Sequence, residues 1–143
     1  QLYESRLLLA DAVLLIVRVL STEQLADYLA LARELGMEAL VETHSEEEVE
    51  TALEAGALVV GVNNRDLDTL ETDLAVTERL GGMVPLNRTL VSESGVRSAA
   101  EVERLARAGV DAVLVGGRLM QDVDPARALR GLVGIPADRE RRG

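Results

Sequence analysis

Five short apolar runs punctuate the chain: AVLLIV (12–17), ALVET (39–43), LVVGVN (58–63), TLVSES (89–94) and AVLVGG (112–117). Each is near-continuously apolar and β-branched, the pattern of parallel strands buried on both faces. Between them, apolar positions recur at helical spacing. TEQLADYLALARELG (22–36) sets Leu25, Tyr28, Leu29, Ala32 and Leu35 on one stripe. EEEVETALEAG (46–56) and AAEVERLARAG (99–109) behave alike.

The boundary residues agree with this division. Ser21 with Gln24, Ser45 with Glu48 and Ser98 with Glu101 each fit a capping box. Asp124 before Pro125 reads as a cap and a first helical residue. Gly36, Gly56, Gly81 and Gly109 stand where helices should end. Strand, helix, glycine, strand, repeated, predicts a parallel α/β fold. One position breaks the rhythm: aligning LLLADAVLLIV with ARAGVDAVLVG sets Leu9 opposite Gly109. A leucine in a left-handed cap costs about 1 kcal/mol or more. The first helix therefore either ends differently or lacks its usual packing context. Tyr3 and Tyr28 read as helix-packing residues.

Composition narrows the function classes. The 143 residues suffice for one domain with a core, and 48% are apolar, so disorder is not expected. The formal net charge of -10 argues against a nucleic-acid surface. An anionic ligand must then be held by local groups against the overall field. There is no Cys, which removes disulfides and thiolate metal sites. His44 is the one histidine, which removes a multi-histidine metal site; it reads as a loop or surface residue. All 15 basic residues are arginine, so Schiff-base and P-loop chemistry are excluded from these residues. No run approaches the ~20 apolar residues of a membrane span, no signal peptide is visible, and a cytoplasmic protein is the expectation. The chain starts at Gln1, on what reads as the end of a helix, so a piece of something larger is expected.

Ligands of parallel α/β folds bind at the carboxyl ends of the strands. Those ends here carry Glu42, Asn63 with Arg65, Glu93 with Ser94 and Gly95, and Gly116 with Gly117. A carboxylate at the tip of a strand, such as Glu42, is partly withdrawn from water and suits acid–base work; a solvated residue beside the acidic run 46–48 is the alternative. Asn-Asn-Arg-Asp is good turn material, yet Arg65 has the fork geometry for a carboxylate or phosphate. SESG lacks the first glycine of a nucleophile elbow, so it reads as a polar loop contributing Glu93 and Ser94. The glycines can bring bare amides close to a phosphate or form a tight turn. In (β/α)8 barrels the loops after the last two strands commonly build such a site.

The stretches ALVETHSEEEVETALEAGALVVGVNNRDLDTLETD, LVSESGV and GVDAVLVGGRLMQDVDPARAL closely resemble the indole-3-glycerol-phosphate synthase family of tryptophan biosynthesis. YESRLLLADAVLLIV fits as well, with Leu9 departing from the usual glycine, and the match covers nearly all of residues 2 to 133. The resemblance implies an α/β fold: parallel (β/α) repeats forming strands four to eight of a TIM (β/α)8 barrel. The first three strands would be missing from this chain. A partial barrel over 1–136 and a charged, frayed tail over 137–143 follow as the expected division. The family closes the indole ring of 1-(2-carboxyphenylamino)-1-deoxyribulose 5-phosphate, losing carbon dioxide and water, without metal or organic cofactor.

By the same resemblance, Glu42 takes part in proton transfer during dehydration. Asn63 positions the substrate and Arg65 is its polar neighbour. Glu93 orders the charged network, with Ser94 beside the substrate. Gly95, Gly116 and Gly117 would help hold the phosphate. Many relatives carry serine at the Gly117 position, so only the backbone amide would serve here. The family's catalytic lysines belong to earlier strands, and this chain has no lysine. A fragment with half of the catalytic set, inactive alone, is expected. Two other readings stay open. One is a different phosphate-binding barrel, like the tryptophan synthase α or phosphoribosylanthranilate isomerase enzymes. The other is a half-barrel scaffold without activity that self-associates through its open sheet edges. Association is expected on either account, as a homo-oligomer or with the missing segment.

Overall fold

The computed structural model describes residues 1–138. Most of the tail expected over 137–143 therefore lies outside the described residues. Five parallel strands form one sheet in sequential order: β1 (Ala12–Ile16), β2 (Glu38–Thr43), β3 (Val59–Asn63), β4 (Thr89–Glu93) and β5 (Ala112–Leu114). Helix α1 (Leu2–Leu7) precedes β1, and α2 (Thr22–Glu34), α3 (Glu46–Glu54), α4 (Ala75–Gly81) and α5 (Ala99–Arg107) connect the strands. Two short ones, α6 (Gly117–Met120) and α7 (Pro125–Arg130), follow β5, and a 3-10 turn spans Val17–Val19. The sheet is therefore an uninterrupted series of βα units with β1 and β5 at its two edges, the architecture of part of a (β/α) barrel.

The strands are not buried on both faces as their composition suggests. Parallel register sorts the side chains into two sets. One set includes Leu15, Val41, Val60, Val62 and Leu90, which pack against Leu25, Leu29 and Ala32 of α2, Val49 and Ala52 of α3, Leu80 of α4 and Leu105 of α5. Burial of each such aliphatic side chain stabilises the fold by roughly 1.5–3 kcal/mol. The other set includes Leu14, Leu40 and Glu42, Gly61 and Asn63, Val91 and Glu93, and Leu114. On this second face Leu14 is 48% exposed and Leu114 51%. Helices cover one side of the sheet and leave the other open at its edges. Tyr3 and Tyr28, expected to pack, are exposed instead. They line a groove of about 980 Å³ beside edge strand β1.

Helix ends follow local chemistry. Ser21 and Ser98 complete reciprocal capping boxes with Gln24 and Glu101. Ser45 forms half of one: its hydroxyl accepts from Glu48 N, but the Glu48 carboxylate turns to His44. Gly36, Gly56 and Gly109 each adopt positive φ and close the paired bonds of a Schellman motif. Leu9 does the same at φ 62, with Leu9 N–H donating to Arg6 O and Ala10 N–H to Ser5 O. The first helix thus ends as its neighbours do, with a leucine where they use glycine. Gly81 is not such a cap. It lies inside the last turn of α4, where a β-carbon would approach Leu90 Cδ2 to 2.9 Å, so it allows close packing of helix on sheet.

Candidate active site

The carboxyl ends of the strands gather the residues singled out above. In register, Glu42 lies beside Gly61, and Asn63 beside Glu93, all on the open face. Glu42 is 7% exposed and Glu93 2%. Gly61 makes this possible: a β-carbon there would fall on Glu93 Oε1 and within 3.0 Å of Leu40 Cδ1. The glycine inside β3 is a slot for the glutamate of the next strand.

Burial pushes the Glu93 carboxyl up to about 7, and the neighbouring Glu42 carboxylate adds to this by repulsion and by hydrogen bonding. Glu93 Oε1 is buried without a hydrogen-bond partner among the described residues. A carboxyl group divided between its protonated and ionised forms near neutral pH can give or take a proton.

Asn63 and Arg65 combine the turn reading with the site reading. Asn63 Oδ1 accepts from Arg65 N–H at 3.0 Å, and Arg65 Nη1 donates to Leu70 O at 3.1 Å. Arg65 remains exposed and lines a cavity of about 460 Å³ with Ser94, Gly95, Gly116 and Gly117. Nothing lies within 4 Å of where a β-carbon would stand on Gly116 or Gly117. Arg97 and Arg118 line the same cavity. Three arginines thus line the cavity beside a bare glycine backbone in a chain of net charge -10, a local gathering of positive residues that suits an anion. Ser94 and Gly95 both take positive φ, at 64 and 87. For Ser94 this is backbone strain of the kind concentrated at binding sites.

Besides Arg97, three residues of the candidate site were not visible in the sequence. Asn64 is 2% exposed. Its Nδ2 donates to Ser92 Oγ (2.9 Å), Glu93 O (2.8 Å) and Ser94 O (3.1 Å), while its Oδ1 accepts from Thr77 N–H and Oγ1. The second asparagine of NNRD therefore clamps the tips of β3 and β4 and holds Glu93 and Ser94 in place. The doublet marks a turn, but nothing in it tells which asparagine points inward. His44, expected in a loop or at the surface, lies in the loop between β2 and α3, but its side chain is only 12% exposed. Its Nε2 lies 3.4 Å from Glu42 Oε1 and its Nδ1 3.2 Å from Glu48 Oε2. The third is Arg118, a glycine-loop neighbour that ion-pairs with Asp122 at 2.6 Å.

These elements define a class: a barrel-type α/β protein with paired carboxylates and a cavity of arginines and glycines at the carboxyl edge of its sheet. The family model for indole-3-glycerol phosphate synthase matches residues 1–132, and the chain belongs to that family. It is 52% identical over 133 residues to the indole-3-glycerol phosphate synthase of Dehalococcoides mccartyi, covering 93% of this chain and 51% of that one. It is 54% identical over 134 residues to indole-3-glycerol phosphate synthase 2 of Streptomyces coelicolor, covering 94% and 52%. The chain thus spans about half the length of the curated relatives it matches. Among solved structures it is similar to a thiamine phosphate pyrophosphorylase from Pyrococcus furiosus (TM-score 0.74, 18% identity, 92% and 62% covered). It is also similar to a 3-hexulose-6-phosphate synthase from Salmonella typhimurium (TM-score 0.69, 21% identity, 99% and 68% covered). At such identities these two speak for the fold alone. Among the described residues, no helix is long and apolar enough to cross a membrane.

Proposed function

We propose that this chain carries the carboxyl-terminal half of an indole-3-glycerol-phosphate synthase site, on strands four to eight of the barrel. The substrate is 1-(2-carboxyphenylamino)-1-deoxyribulose 5-phosphate, and the chain is inactive alone. The observation that carries this reading is the convergence of Glu42, Asn63 and Glu93 on one face at the strand ends, beside a cavity of arginines and glycines.

The roles are those the family resemblance implies, and the positions of the residues support them. The anion cavity takes the phosphate on the amides of Gly95, Gly116 and Gly117, with Arg65 and Ser94 at its rim. Asn63 orients the sugar chain. Glu42 moves a proton during dehydration. Glu93 holds the charge of the site in balance, since two buried carboxyls side by side favour one proton between them. The chemistry on these residues needs no metal or organic cofactor. The acid that polarises the ketone is not among them, because the chain has no lysine.

Mixing the chain with the amino-terminal half of a relative should restore ring closure, measured by formation of the indole chromophore, while neither part turns over alone. Glu42→Gln and Glu93→Gln should each reduce the restored rate by roughly 100-fold or more. Family-level turnover by the chain alone would refute the half-site, and undiminished rates in both variants would refute the assignment of the carboxylates.

The open sheet supports a second element of this reading. Unpaired edges at β1 and β5, with Leu14 and Leu114 exposed, favour association with a second copy or with the segment that completes the barrel. Sedimentation should show a homo-oligomer, or a complex when that segment is added; a monodisperse monomer in both conditions would count against it.

A further inference from the structure

We infer that His44 is a positioning residue for Glu42, with Glu48 locking the imidazole so that Nε2 faces the Glu42 carboxyl. This rests on the proposed function only in the part that concerns turnover. Glu48 Oε2 accepts from the His44 backbone N–H at 2.7 Å and lies 3.2 Å from Nδ1. An ionised carboxylate can only accept, so the proton of a neutral imidazole belongs on Nδ1. That leaves Nε2 as the bare nitrogen, buried, 3.4 Å from Glu42 Oε1 and without a hydrogen-bond partner among the described residues.

Two lone pairs do not face one another in a buried site without a proton between them. The proton either stays on Glu42, as O–H aimed at Nε2, or passes to Nε2, breaking that O–H bond and leaving an imidazolium beside a carboxylate. In both forms the carboxyl is held at one orientation toward the open face, where Glu93 stands. The start of α3 agrees with this. Ser45 begins α3 as a half-formed capping box because Glu48 leaves the usual partner and turns to His44. Helix α3 gives up one terminal contact and gains a fixed imidazole.

The chain has one histidine, so a nitrogen-15 imidazole spectrum of histidine-labelled protein reports this residue alone. The chain is measured in complex with the unlabelled amino-terminal half of a relative. The neutral imidazole should carry its proton on Nδ1. Glu48→Ala should move it to Nε2, the ordinary preference of a free imidazole, and Glu48→Gln, which keeps an acceptor, should retain the Nδ1 form. Glu42→Gln should displace the Nε2 resonance and leave Nδ1 unmoved. A neutral wild-type imidazole protonated on Nε2 rather than Nδ1, or an Nε2 resonance indifferent to Glu42→Gln, overturns the inference.

In the same complex Glu48→Ala should lower kcat roughly tenfold to hundredfold. KM should stay within about twofold, with kcat largely restored by Glu48→Gln. An unchanged kcat in Glu48→Ala overturns the positioning role. A complex inactive in every form, wild type included, counts against the proposed function, while the spectra still decide the place of His44.

Discussion

Glu93 makes stability depend on pH in a direction that can be worked out. Its ordinary carboxyl value is 4.5 and in the fold it is raised to about 7. Below 4.5 it is neutral in both folded and unfolded chains and contributes nothing. Between 4.5 and about 7 the unfolded chain gives up the proton while the folded one keeps it, so stability falls as pH rises. Above that the loss is complete. Urea midpoints measured from pH 4 to 8 should fall through this window, and Glu93→Gln should remove the fall and be more stable than the wild type at pH 8. Leu9 offers a simpler test at the same scale. Its left-handed conformation costs roughly 1–2 kcal/mol, of which the greater unfolded entropy of glycine returns part. Leu9→Gly should therefore raise the unfolding free energy by roughly 1 kcal/mol.

At the scale of elements, the hub at Asn64 joins β3, β4 and α4. Thr77 Oγ1, Ser92 Oγ and two main-chain carbonyls share it, and Thr77 Oγ1 and Ser92 Oγ also lie 2.9 Å apart. Asn64→Ala leaves these buried groups short of partners, which should cost about 2–3 kcal/mol by chemical denaturation. Faster hydrogen exchange should be confined to the tips of β3 and β4, since the helix-side core is untouched. Most of the element boundaries were legible from the chain: strand positions within a few residues, the capping serines, and Gly36, Gly56 and Gly109. Gly81 was not, because close helix–sheet packing and a left-handed cap place the same residue type at similar spacing. The pairing of Ser45 with Glu48 was half right, because a capping box is local whereas the pull of His44 on Glu48 depends on how β2 delivers its loop to α3.

For the molecule as a whole, the difference between the two sheet faces governs behaviour. The helix-side face is a closed core; the other is apolar at Leu14 and Leu114 and acidic at Glu42 and Glu93. Leu14 and Leu114 are about half exposed, so Leu14→Glu and Leu114→Glu should each lower the chain's own stability by no more than about 1–1.5 kcal/mol. Both should abolish association, followed by sedimentation. A loss of folding in these variants would mean that the open face belongs to the chain's own core. The same asymmetry explains why near-continuous apolar runs suggested strands covered on both sides. Composition records what a strand is built to meet, and among the described residues helices cover only one of the two faces.

The order of strands and helices, their caps and the polar residues at the strand ends were written in the linear pattern, because period, propensity and turn chemistry act over a few neighbouring residues. The candidate site residues Glu42, Asn63, Glu93 and the glycine loops could likewise be proposed from their place at those ends. What only the tertiary structure decided is contact across strands. The Gly61 slot beneath Glu93, the inward turn of Asn64 rather than its neighbour, and the placing of His44 between Glu42 and Glu48 each depend on parallel register. Register is set by the packing of the whole sheet, and no local stretch of sequence contains it.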